Sequence, residues 1–244
     1  MSQKICKTRS WEKIGMLVVL CACWQAYGQT STRYPKMAAI DQYMMERNAE
    51  ITLARSAAPE SISRDADVFV LGPHGYENAV KGKNGFACAV LRSWTAGPEN
   101  TDFWNPKLRG PICFNAPAAR SYWPLMSERT EWVLQGMSKE QLFEKIKSSF
   151  DKKGLPTLAP GSMSYMMSRD QYLGDAGGRW HPHLMFFVPE TSDTSWGGGL
   201  PNSPVLVAQD PDDHLTVFMI PVDKWSDGKA EHSDNSSAGD SHKN

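Results

Sequence analysis

The stretch Phe86–Trp94 (FACAVLRSW) constrains the fold more than any other. It follows Asn84-Gly85, a pair that tolerates positive φ at both positions and so marks a tight hairpin turn. At a period of two, Phe86, Cys88 and Val90 point to one side of a strand, and Ala87, Ala89 and Leu91 to the other. Both sides are apolar, so this strand belongs in the middle of a sheet covered on both faces.

Other strands follow from β-branched and aromatic runs bounded by turn residues. They are Asp67–Leu71, Tyr76–Lys81 after the turn Gly72-Pro73-His74-Gly75, and the short Ile112–Phe114. Further along come Met163–Ser168, His181–Pro189, Pro204–Ala208 and His214–Val222, the last two flanking a turn at Asp210-Pro211-Asp212-Asp213. Helices are expected in three places. Asp41 is a candidate N-cap for a helix to about Ala57, in which Met44, Ile51, Ala54 and Ala58 share a face and Glu46 and Glu50 face solvent. Pro117–Gln135 reads as helical with a break at Pro124. Ser138-Lys139-Glu140-Gln141 is a capping box, and Leu142, Ile146 and Phe150 recur every four residues behind it. Strands gather at both ends of the chain with helices between. This is an α+β pattern: a mostly antiparallel sheet of about six strands with about three helices packed on it.

The first 28 residues read as a secretory signal. Lys4, Lys7, Arg9 and Lys13 precede the apolar run Ile14–Trp24, and Ala26-Tyr27-Gly28 supplies small residues for cleavage. The run is shorter than the ~20 residues that span a bilayer, so no transmembrane segment is expected in the mature chain. Leu20-Cys21-Ala22-Cys23 also resembles a lipobox, which keeps open a lipid anchor at Cys23. The expected organisation is a signal over 1–28, one α+β domain over 29–222 and a disordered tail over 223–244, where apolar residues nearly vanish. The expected location is periplasmic or secreted.

The leader holds four of the 26 basic residues and one of the 27 acidic ones, which leaves a formal charge of −4 on the remainder. That excludes nonspecific nucleic-acid binding, which requires a basic face. Of five cysteines, only Cys88 and Cys113 lie beyond the leader. In an oxidising compartment they are expected to form a disulfide, closing a loop of about 25 residues and contributing about 3–4 kcal/mol. Two buried thiols or a metal pair are the alternatives.

The most suggestive chemistry lies in Trp180-His181-Pro182-His183, where two histidines at i and i+2 would share one face of a strand. Such a pair forms half of many zinc, copper or iron sites. His74 would be a third ligand and Glu77 a general base, which would suit a hydrolase or oxidoreductase dependent on zinc or another divalent transition metal. Alternatively, the histidines only hydrogen-bond at a strand entrance. Pro182 lacks a ladder donor and suggests an edge strand. Trp180 and Trp196 are candidate ligand-stacking residues, Trp196 beside the flexible run Gly197-Gly198-Gly199. That run is not a phosphate loop, because no Lys follows it in the required spacing. No GxSxG nucleophile elbow occurs.

Glu50–Trp94, Pro111–Arg120 (PICFNAPAAR) and Trp180–Phe187 (WHPHLMFF) together resemble a family of exported bacterial proteins with no assigned function. The resemblance implies export and a shared domain, and it implies no activity or site residue. The resulting expectation is an exported domain that binds a small ligand or an envelope component. Its pocket would lie where the His74 turn, the His181–His183 strand and the Trp196 loop meet. The alternatives are the metal-dependent enzyme and a non-catalytic envelope-interaction protein.

Overall fold

The computed structural model describes residues 33–152 and 154–231. The leader, Cys23 and the tail from 232 onward lie outside the described residues. Eight strands form one sheet: β1 (Asp67–Gly72), β2 (Gly75–Val80), β3 (Ala87–Leu91), β4 (Gly110–Phe114), β5 (Met163–Met166), β6 (His183–Pro189), β7 (Leu206–Asp210) and β8 (Leu215–Pro221). Their order is β2-β1-β3-β4-β5-β6-β8-β7. Every neighbouring pair is antiparallel except β1 and β3, which run parallel. Five helices are described: α1 (Arg47–Arg55), α2 (Glu60–Ser63), α3 (Ala116–Ser121), α4 (Trp123–Leu134) and α5 (Lys139–Asp151). The α+β class is as expected; each of the eight strands falls on a segment read as a strand, against a sheet expected to hold about six, and five helices stand where about three were expected.

The two faces of the sheet are built from alternating residues. Ala89, Ile112, Phe114, Phe187, Leu215 and Val217 face a core formed with α3, α4 and α5. Val68, Cys88, Val90 and Cys113 face the alanines of α1 and its exit, Ala54, Ala57 and Ala58. Those small residues let the helix approach closely, and the Cys113 sulfur sits 3.7 Å from the Ala54 carbonyl oxygen. Cys88 and Cys113 are direct register partners on β3 and β4 and are joined by a disulfide. β3 is central, and its two apolar faces meet the two cores.

The Asn84-Gly85 turn does not make the expected hairpin. β2 pairs with β1, and the chain then passes the start of β1 to lay β3 on its other side. Asp67 holds this crossing by accepting the Gly82 N–H at 2.9 Å, and Asn84 donates to the Ile62 carbonyl. A Cβ on Gly82 would fall 2.2 Å from the Ala66 backbone, so the crossing requires glycine there.

Helix α1 starts later than the Asp41 signal indicates. Ile40–Tyr43 is a 3-10 turn, and the Glu46 carboxylate caps α1 by accepting from the Asn48 and Ala49 amides. Glu50 is not solvated. It is 1% exposed and pairs with the fully buried Arg92 at 2.8 Å. The Ser138 capping box forms both of its bonds, and Leu142 and Ile146 are buried beneath α5. β6 is an interior strand that begins after Pro182, so Pro182 interrupts no ladder. The described body continues past Val222. Trp225 is buried, and Lys224 bridges to Ala230, so the segment to Glu231 is packed, contrary to the tail boundary read from composition. Among the described residues, no helix is long and apolar enough to cross a membrane.

Candidate functional site

The residues singled out in the sequence are not brought together. His74 is exposed on the turn between β1 and β2. β6 lies four strand spacings from β1, roughly 19 Å along the sheet. Glu77 is exposed near Arg47, which stands 4.0 Å away. His181 precedes β6 and contacts the Glu231 carboxylate through Nδ1. His183 is buried, and its Nδ1 lies 2.7 Å from the His181 carbonyl oxygen. Burial lowers its pKa below the usual histidine value, which favours neutral imidazole. Trp180 packs edge-on against His183 at 4.5 Å. Trp196 covers the opposite face of the sheet, stacked on Phe218 at 5.0 Å with Phe186 beside it. Among the described residues, no group of three or more His, Cys, Asp or Glu side chains is placed to hold a metal ion. The proposed ligand set of His181, His183, His74 and Glu77 is therefore not assembled. The expected three-way pocket fails for the same reason: its parts lie on different faces and different strands.

A different site is built at the turn between β7 and β8. The chain leaves β7 at Asp210, turns through Pro211-Asp212-Asp213 and re-enters the sheet after His214. The Asp210 side chain accepts the Asp213 amide at 3.3 Å, which tightens the turn. His214 closes it at φ 54°, a left-handed conformation that costs a non-glycine residue about 1 kcal/mol. Helix α4 brings Arg129 underneath. Its guanidinium donates to Asp213 at 2.6 Å and to the Thr95 carbonyl at 3.0 Å, and both members of the pair are buried. Tyr122, at the junction of α3 and α4, donates its hydroxyl to the other Asp213 oxygen at 3.3 Å.

Electrostatics concentrates at this turn. Burial pushes the Asp213 carboxyl up against the pull of Arg129. Asp210 is raised to about 6, by burial first and then by the Asp213 charge. Burial also raises the Tyr122 hydroxyl well above the usual phenol value, so it stays a donor. Arg129 Nε has no partner among the described residues.

The turn forms one wall of a cleft of about 550 Å³. Leu125 and Tyr122 line it from α4 and its start, Phe150 from the end of α5, Leu155 and Leu158 from the connection to β5, and Asp213 and His214 from the turn. The His214 ring meets Phe150 edge-on at 4.9 Å. Ser121 anchors the connection by accepting the Ala159 amide. The cleft thus has apolar walls, with the Tyr122–Asp213–Arg129 cluster buried behind the turn that borders it. Its volume is in the range of small-molecule sites.

The sequence held one overlooked signal for this site. Arg129 falls three residues after Met126 and three before Trp132, on the apolar side of α4. A cation there requires a buried carboxylate partner. Nothing local identified Asp213 as that partner. Comparison with known protein families, with curated proteins and with solved structures finds no match to this chain.

Proposed function

We propose that this chain is an exported soluble domain, periplasmic or secreted, that binds a small ligand in the cleft between α5 and the β7–β8 turn. The ligand has an apolar body and a cationic, hydrogen-donating head such as an amine. The observation that carries this reading is the buried acidic cluster of Asp213 and Asp210 directly behind the strained His214, on the turn that walls an apolar cleft. Arg129 balances one negative charge, while Asp210 and Asp212 add two more nearby. A cation is therefore favoured over an anion there. The export part of the reading is supported by the leader's composition and by the buried Cys88–Cys113 bond, which suits an oxidising compartment.

Calorimetric titration with hexylamine, hexanol and hexanoate tests the ligand class. These share an apolar body and differ in the head. The amine should bind at least about tenfold tighter than the alcohol, a difference of about 1.4 kcal/mol, and hexanoate should bind weakest. Equal binding of all three, or of none, contradicts the reading. Protein recovered from the periplasm or medium should begin near Gln29, and protein found in the cytosol with its leader intact contradicts export.

A further inference from the structure

The sheet ends in two edge strands that are protected differently. β2 carries the exposed Glu77, with Arg47 and Lys81 nearby. Such charges oppose pairing with another strand. β7 closes the other end with no strand beyond it among the described residues, and Leu206, Ala208 and Gln209 are exposed along it. From Ser195 to Gln209 the chain has no ionisable side chain, although the whole sequence is 22% charged. The large exposed apolar side chains among the described residues are Ile40, Trp196, Leu200 and Leu206. Three of these four lie on β7 or on the loop leading to it. That loop is held against the strand, because a Cβ on Gly198 would fall 3.1 Å from Val207 Cβ.

The edge is uncharged over Leu206–Gln209, and the Asp210 at its end is largely buried beside Asp213 and Arg129; such an open edge is a template for another strand. We propose that a second copy of this chain occupies it, with the two β7 strands paired antiparallel about a two-fold axis near Val207. A two-fold axis sets each surface against itself, so a charged edge would face like charge. The neutrality of 195–209 removes that penalty, which is the charge condition self-pairing needs. Pairing there sets Leu206 beside Ala208 of the partner copy and covers exposed apolar surface. The chain's own continuation suits the edge poorly, since residues 232–244 (HSDNSSAGDSHKN) include no β-branched or aromatic side chain.

Sedimentation of the purified protein across a wide concentration range tests the proposal. The expected result is a monomer–dimer equilibrium that Ala208→Lys weakens by at least about tenfold, because two like charges then meet across the axis. Leu206→Glu is the second variant and should act in the same direction. Both positions are exposed in the monomer, and circular dichroism confirms that each variant is folded. Hydrogen exchange at β7 should slow as concentration rises. A protein that stays monomeric overturns the proposal. So does a dimer that both folded variants leave intact, since its contact lies elsewhere.

Discussion

Glu50–Arg92 and Asp213–Arg129 are both buried arginine–carboxylate pairs, yet their surroundings differ. Arg92 donates to Glu50, to the Tyr43 carbonyl and to the Val90 carbonyl, while Glu50 also accepts the Leu71 amide. One cation and one anion tie α1 to β1 and to the chain leaving β3. At the other pair, Arg129 keeps an unpartnered Nε, a second carboxylate crowds Asp213, and the turn that carries Asp213 borders the cleft. Both pairs bear the desolvation cost of burial. Completeness of coordination, rather than burial, separates the structural clamp from the candidate site.

The largest expected effect is at the complete pair. Glu50→Gln leaves Arg92 buried without its counter-charge and should destabilise the protein by about 3–5 kcal/mol in denaturant unfolding. Ligand affinity of the remaining folded fraction should be unchanged. Replacing Cys88 and Cys113 together by alanine should cost about 2–4 kcal/mol, through the freer unfolded chain and lost packing against α1. Asp213→Asn should cost less than Glu50→Gln, because Asp210 stays near Arg129, and it should abolish the preference for hexylamine over hexanol. Equal stability losses at the two pairs would erase the distinction between them.

Acidity sharpens the contrast further. The Asp210 carboxyl is raised to about 6 in the folded protein, from an ordinary value of 3.8. Between those values the folded state binds more protons than the unfolded one, so this group's contribution to stability falls as pH rises. It is most favourable below about pH 4 and is lost as pH climbs through 6. Thermal unfolding over that window should show this slope in the native protein and a reduced slope in Asp210→Asn. The smallest effect is at the turn itself. His214→Gly should stabilise the fold by about 0.5–1 kcal/mol by relieving the positive φ, while weakening hexylamine binding.

Much of the fold was legible because local signals and packing agree. The Ser138 box, the two-faced Phe86–Leu91 run and the lone cysteine pair each specify one local arrangement, and the structure shows all three. The parallel pairing of β1 and β3 was not legible, since Asn-Gly is compatible with a hairpin and the Asp67–Gly82 contact that redirects the chain is tertiary. Glu50 was misread on polarity, although its spacing of four from Ala54 already placed it on the buried face. The histidine pair drew attention by residue type, yet its partners lie along separate strands. The Asp210–Asp213 stretch is legible only as a turn, because its acidity is local in sequence while its burial depends on α4 and α5.

The central claim is that the cleft beside Asp213 is where this protein meets its ligand. Chemical-shift mapping during hexylamine titration tests it most directly. The account predicts saturable shifts at Tyr122, Leu125, Leu158 and His214, absent in Asp213→Asn, with the resonances around Glu50 and Arg92 unmoved. Shifts confined to the Trp180–His183 region, or no saturable shift anywhere, would contradict it.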